Sequence, residues 1–338
     1  MPRPLIEPLI PADVLDQALA PVRSRLQAVT ARLTEQLAEP IAETVRYLIT
    51  AGGKRLRPAL VLLCGAAGPS PNWPALIDTA TAVELIHTAT LIHDDIIDQS
   101  PTRRSQPTFH HRWGTERAVL MGDYLHATAF TLLAGLEHPM VMQTMSDVCR
   151  QLCRGELREV EARRRLDLTD AEYMDIIRDK TASLIAGCCR TGAYLGGGLP
   201  DTVDRLAAYG TAFGLAFQII DDCLDLTGDE ALMGKAVLAD LDKGVLSLPM
   251  IYLTQRVSPA ERDRLFARLL QAPEPRAADL AALREVAGAA VAQGAIAQAS
   301  ARAEALLHDA QAALAACQLH GLEGVFHQLI EYAMSRRS

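Results

Sequence analysis

Aromatic residues are scarce in this chain, 4% of 338 residues, and no long stretch alternates apolar with polar side chains. A half-buried sheet draws on both features, so these absences exclude β-structure as the main framework. Alanine and leucine dominate instead. Nearly half of the residues, 49%, are apolar, which suits a large helical core. No CxxC pair occurs among the seven cysteines, Cys64, Cys149, Cys153, Cys188, Cys189, Cys223 and Cys317. They are read as small core residues in a reducing compartment. The amino terminus lacks the basic-then-apolar pattern of a signal sequence. No uncharged apolar run reaches the roughly 18 residues that a spanning helix needs. A cytoplasmic protein with at most peripheral membrane contact is expected. Excess positive charge is missing too: the net charge is -8, which argues against general nucleic-acid binding. No Ser/His/Asp arrangement offers a protein nucleophile.

What the chain does have is a long apolar stretch that ends in acid. In Val83 to Thr108, VELIHTATLIHDDIIDQSPTRRSQPT, the residues Val83, Ile86, His87, Thr90, Leu91, Asp94, Asp95 and Asp98 recur at helical spacing. Asp94 and Asp98 are one turn apart, so their carboxylates stand one above the other and repel. Such a pair suits a cation. Hard oxygen donors without His or Cys at ligand spacing point to Mg²⁺ completed by phosphate oxygens. Arg103 and Arg104 follow as partners for those phosphates. An acid cluster on a helix is often only a solvated face. A second copy decides otherwise: Phe217 to Asp225, FQIIDDCLD, repeats the DDxxD pattern at the end of another apolar helix. Two carboxylate walls across one cavity are expected.

Other segments fall into place around these two. A helix runs from Pro11 to about Ala38, bent at Pro21, and another starts at Pro40. Gly52-Gly53-Lys54-Arg55-Leu56-Arg57-Pro58 joins two glycines to three cations, a cradle for a diphosphate. Helices are expected from Pro58 to about Ala67, from Thr115 to Leu136, and from Pro139 to about Arg165. Thr169 and Glu172 form a capping box. Lys180 follows Asp179, and an ion pair within the helix is the plain reading of that neighbour. Gly196 to Pro200 is a turn. Residues 227–244, rich in glycine and charge, form a loop able to close over a site. Pro249 to Ser338 reads as helical scaffold. Length allows about two domains, but no linker separates the acid motifs, so one domain over 1–338 is expected.

GGKRLRP at 52–58, DDIIDQSPTRR at 94–104, DKT at 179–181 and FQIIDDCLD at 217–225 together resemble the trans-isoprenyl diphosphate synthases, also called polyprenyl synthetases. The resemblance runs from about residue 40 to 330, with the motifs in the family's order. It implies an all-α fold, an isoprenoid-synthase-type helical bundle around a deep central cavity, and a homodimer. It implies head-to-tail joining of isopentenyl diphosphate to an allylic diphosphate, with on the order of two or three Mg²⁺ ions. Asp94 and Asp98 would bind metal from one wall, and Asp221 with Asp225 from the other. Arg103, Lys180, Thr181, Gln218 and Lys235 would hold the allylic diphosphate. Lys54, Arg57, His87 and Arg104 would hold the diphosphate of isopentenyl diphosphate.

Two positions depart from the family pattern. Ser105 stands where the family has glycine after the arginine pair, and Val245 where a second lysine often follows glycine. Diphosphate binding on that side then rests on Lys180 and Lys235, with Lys243 nearby but out of register. The residues one turn before Asp94 are Ala89 and Thr90. A turn rises about 5.4 Å, of the order of one five-carbon unit. Neither residue would block a growing chain, so a floor deeper down, at Phe130 or Leu133, and a long product of roughly C30 to C50 are expected. Farnesyl or geranylgeranyl length is the alternative. A class I terpene cyclase, a non-catalytic partner subunit and a calcium-binding helical protein are rival readings. The two acid motifs with GGKRLRP count against each of them.

Overall fold

The computed structural model describes residues 17–35, 47, 55–103, 106–227, 238–271 and 280–335. The first helix changes character where a bend was expected: Pro21 sits in a 3-10 turn, Ala20–Val22, ahead of α1, Arg23–Glu35. Then follow α2, Leu56–Ala66, and α3, Trp73–Ile97. A two-stranded hairpin, β1 Thr102–Arg103 and β2 Gln106–Pro107, stands where only a polar connection was expected. The chain continues through α4, Phe109–Trp113, α5, Thr115–Gly135, and α6, Pro139–Ala162. Thr169 caps α7, Asp170–Ile177, and the expected capping box with Glu172 is present. A π-helical turn, Arg178–Ala182, joins α7 to α8, Ser183–Leu195. The second acid-ending helix is α9, Pro200–Thr227. After it come α10, Ala239–Asp242, α11, Leu248–Arg256, α12, Pro259–Gln271, α13, Leu280–Ala292, α14, Ala295–Leu314, and α15, Glu323–Ser335.

Helix α3 starts at Asn72, whose side chain accepts the amide of Ala75, with proline in the first turn. It is long and apolar enough to cross a membrane, but 67% of its most apolar window is buried inside the molecule. It packs against α5, α2 and α1, while α8 packs against α9 and α2, and α9 against α14. Burial of these apolar faces drives the assembly. The site-bearing ends of α3 and α9 are thus held by thick packing further down each helix.

Packing is tight around the π turn. Gly155 of α6 and Gly214 of α9 press on it from two sides. A Cβ at 155 would lie 2.6 Å from the amide nitrogen of Lys180, and one at 214 would lie 2.7 Å from Ala182 Cα. Neither helix could approach so closely with a side chain at these positions. Gly155→Ala should therefore destabilise the protein by about 1–3 kcal/mol through overpacking. Gly288, within α13, has nothing within 4 Å of its Cβ position. Gly288→Ala should instead stabilise by roughly 0.5–1 kcal/mol. Urea melts of both variants check this; equal effects would contradict the packing at 155.

Candidate active site

Both acid motifs end at helix C-termini, where the backbone dipole already carries negative charge. Cations must therefore gather there. Asp98 is the C-cap of α3, and its amide donates to Asp94 O at 2.8 Å. Arg163, just past α6, donates to Asp98 Oδ1 at 2.8 Å, and Lys243 donates to Asp98 Oδ2 at 2.8 Å. Burial would raise the Asp98 carboxyl, but Lys243, then Lys180 and Arg163, hold it below its ordinary value. Asp94 fares differently. Burial pushes its carboxyl up from 3.8 to about 7, Lys180 opposes, and Glu156 adds to the rise.

Arg103 of β1 reaches the middle residue of the motif. Its Nε lies 3.0 Å from Asp95 Oδ1 and 3.1 Å from Oδ2, and its Nη2 lies 2.9 Å from Oδ1. The hairpin aims it: Thr108 Oγ1 donates to Ser100 O at 2.6 Å, and Thr108 N to Pro101 O at 2.9 Å. Lys180 lies in the π turn, as such distortions often do at functional sites. Its ammonium is 2.7 Å from Glu156 Oε2 and 2.5 Å from Glu159 Oε1, both on α6. Burial would lower the Lys180 ammonium, but Glu159, Glu156 and Asp94 hold it above its ordinary value. The expected ion pair with Asp179 is corrected here. Arg154 grips Asp179 with two bonds of 2.6 Å, and Arg158 adds a third at 3.2 Å. Asp179 and Lys180 thus both reach α6 but pair with different residues of it.

On the second wall, Thr181 Oγ1 donates to Gln218 Oε1 at 2.8 Å, and Gln218 Nε2 donates to Asp222 Oδ1 at 2.7 Å. Tyr173 OH donates to the other oxygen, Asp222 Oδ2, at 2.6 Å. Burial and the nearby Asp240 push the Asp222 carboxyl well up, against the pull of Tyr173 and Gln218. Asp221 beside it is half-buried. The expectation of an ion ligand at Asp225 meets a different arrangement: its Oδ2 accepts the Asp240 amide at 3.3 Å, and its carbonyl accepts the Leu238 amide at 2.8 Å. Asp225 thus anchors the turn that carries Lys243, and that turn joins the two walls.

At the start of α2, Arg57 Nη1 lies 3.1 Å from His87 Nε2. The guanidinium can only donate, so that nitrogen accepts and the imidazole proton belongs on Nδ1. One turn earlier on α3, buried Glu84 pairs with Arg55, the left-handed N-cap of α2 with φ 49°. Lys54, Arg104 and Lys235 lie outside the described residues. Ala89 is fully buried and shares a face with His93, which lies against Gly122 of α5. Thr90 is half-buried on the face of Asp94, its hydroxyl donating to His87 O at 2.8 Å. Phe130 packs part-buried against the core from α5. Glu84, Glu156, Glu159, Arg163 and Tyr173 are site residues the motif reading missed, and Lys243, set aside there as out of register, joins them. A lone glutamate inside the apolar run VELIH is the one signal that pointed to Glu84.

The model of the family described as polyprenyl synthetase matches residues 38–286. This chain belongs to the polyprenyl synthetase family. The synthetase is 39% identical over 267 residues to a short chain isoprenyl diphosphate synthase of Methanothermobacter thermautotrophicus, covering 76% of this chain and 82% of that one. Its fold is similar to a polyprenyl synthase of Caulobacter crescentus solved with calcium and isoprenyl diphosphate: TM-score 0.87, 31% identity, 96% of this chain and 98% of that one. A decaprenyl diphosphate synthase from Rhodobacter capsulatus matches with TM-score 0.86 and 33% identity over 97% of this chain and 100% of that one. The synthetase is an all-α isoprenoid-synthase bundle and a trans-prenyl diphosphate synthase.

The raised Asp94 carboxyl gives the synthetase a measurable pH signature. Its folded value of about 7 exceeds the ordinary 3.8, so between these limits the folded state binds more protons than the unfolded one. The stability from protonated Asp94 is present in full below the lower value and lost as pH rises through the upper one. Asp94→Asn removes this loss. The variant should melt higher than wild type at about pH 8 and close to it at about pH 4. Thermal melts at both pH values check the sign; a variant shifted equally at both would contradict it.

Proposed function

We propose that this synthetase condenses isopentenyl diphosphate head-to-tail with an allylic diphosphate, using Mg²⁺, and releases a long all-trans polyprenyl diphosphate. The observation that carries the reading is the joining of two acid-ending helices by a turn that brings Lys243 to Asp98, beside Lys180. The donor set fits Mg²⁺. It consists of carboxylate oxygens from Asp94, Asp98 and Asp221. Among the described residues no three His, Cys, Asp or Glu converge closely enough to enclose an ion by themselves. Mg²⁺ commonly takes only one or two carboxylates and completes its shell with water and substrate phosphate. When bound it would neutralise charge on the departing diphosphate.

The chain's own residues then divide the work. Arg103 and Lys180 are fixed cations, and with Thr181, Gln218 and Lys235 they hold the allylic diphosphate. Fixed charges in a site of low dielectric stabilise the leaving diphosphate as the carbon–oxygen bond breaks and its electron pair goes to oxygen. Arg57 and His87, with Lys54 and Arg104, hold isopentenyl diphosphate so that its double bond faces the allylic carbon. The double bond attacks, a carbon–carbon bond forms, and a proton is lost to regenerate an alkene. A homodimer, as the family resemblance implies, completes the reading.

Small walls support the long product. Below Asp94 stand Ala89 and Thr90, so the tail passes this level, and a length of roughly C30 to C50 follows from several turns of about 5.4 Å each. The 39% identity to a short chain relative favours a second reading, farnesyl or geranylgeranyl length. Radiolabelled isopentenyl diphosphate with an allylic primer tests the reaction. Asp94→Ala should lose about a hundredfold or more of turnover, the scale of one lost electrostatic group, and near-native turnover would sink the ion assignment. Chromatography of dephosphorylated products tests length. Ala89→Tyr should shorten the product by several five-carbon units while condensation continues. A wild-type product of farnesyl or geranylgeranyl length would end the long-chain reading.

A further inference from the structure

Lysine occurs at only four positions in this chain, 54, 180, 235 and 243, against 33 lysines and arginines together. Arginine therefore carries nearly all of its positive charge. Three of the four lysines lie in motifs already tied to diphosphate binding. The fourth, Lys243, is a half-buried residue whose side chain is 14% exposed. Its position is built with care. The Leu238 amide donates to Asp225 O at 2.8 Å, Gly244 N to Leu241 O at 3.0 Å, and Arg164 N to Gly244 O at 2.7 Å. Gly244 takes φ 78°, a left-handed value that glycine adopts without strain. This framework aims the ammonium at Asp98 Oδ2, 2.8 Å away, with Asp240 Oδ1 at 3.7 Å.

Asp98 then has a cation on each oxygen. Arg163 on Oδ1 is a planar guanidinium, 16% exposed. Lys243 on Oδ2 is a compact ammonium on a flexible four-carbon stem. A magnesium ion would be held by Asp98 through its carboxylate oxygens, Oδ2 among them. It and an ammonium at 2.8 Å compete for the same lone pairs, and as like charges they repel. The flexible stem makes Lys243 the group that yields. The turn is tethered to Asp225, so a displaced ammonium stays beside the site, next to Lys180, where an anion needs it.

We propose that Lys243 is a mobile diphosphate-binding cation, held on Asp98 until a divalent ion takes Oδ2 and then released to the diphosphate. The proposal rests on the reading above that the site takes a divalent ion with diphosphate. Lys243 thus performs two opposed tasks: it resists the bare ion and it favours the ion–diphosphate pair.

The small number of lysines permits a direct test on the wild-type protein. Amine acetylation by acetic anhydride, quantified by peptide mass spectrometry, reads Lys243 separately from the others. Saturating Mg²⁺ alone should raise the acetylation rate of Lys243 several-fold. Mg²⁺ with inorganic diphosphate should return it to a protected value. No change at Lys243 with Mg²⁺, in protein that calorimetry shows to bind Mg²⁺ and diphosphate together, would overturn the proposal alone. Wild-type protein that binds neither would overturn the functional reading and the proposal with it. Lys243→Gln supplies a second measurement. Mn²⁺ alone, followed by its electron-spin resonance, should bind roughly tenfold tighter to the variant, and inorganic diphosphate with Mg²⁺ roughly tenfold weaker, each the scale of one charge-assisted hydrogen bond. Both affinities moving in the same direction, or neither moving, would overturn the proposal. Lys243→Arg should preserve most of the diphosphate affinity.

Discussion

The carboxylate of Asp98, gripped by Arg163 on one oxygen and Lys243 on the other, is the constraint on which the site depends. It caps a 25-residue helix at the end where the backbone dipole repels acid. Its two partners come from beyond α6 and from the turn after α9. One side chain therefore ties three segments together at a single point. A paired buried carboxylate of this kind costs little while both partners remain and much when one is lost. That cost is the reason the two acid-ending helices keep a fixed spacing.

From there the network of charge extends in two directions. Lys180 is balanced by Glu156 and Glu159, and Arg103 by Asp95. Farther along, Thr181, Gln218, Asp222 and Tyr173 form one hydrogen-bonded row whose acid lies in the core. Among the described residues, Lys180 and Arg103 thus each have carboxylates behind them that fix their direction. Such preorganisation lets a leaving anion be met by charge already in place, with little rearrangement at the moment of bond cleavage.

Much of this was legible before the fold was known. The helices that begin at Pro139 and Thr115, the capping box at Thr169 and the break in regular helix at Pro21 follow from local rules, because each depends on residues within one turn. The two acid motifs and their place at helix ends were equally plain. The partners of those motifs were not. Arg163 lies 65 residues from Asp98, and Lys243 lies 145 residues away. Periodicity carries no information across such distances. Lys180 misled for the opposite reason, since the nearest acid in sequence, Asp179, is not the nearest in space. The short hairpin at 102–107 was missed because two-residue strands leave no pattern to read.

The π turn at Arg178–Ala182 has a consequence for how this segment can vary through evolution. A π turn amounts to one residue more than an α-helix needs, absorbed as a local bulge. Removing any one residue from the turn would let α7 and α8 run on as a single regular helix. It would also rotate everything on one side by about 100° relative to the other. Gly192 would leave the seam with α2, or else Tyr173 would swing away from Asp222. The segment is therefore closed to changes of length even where it tolerates changes of side chain. Point substitutions can accumulate around Lys180, but insertions and deletions are confined to the loops on either side.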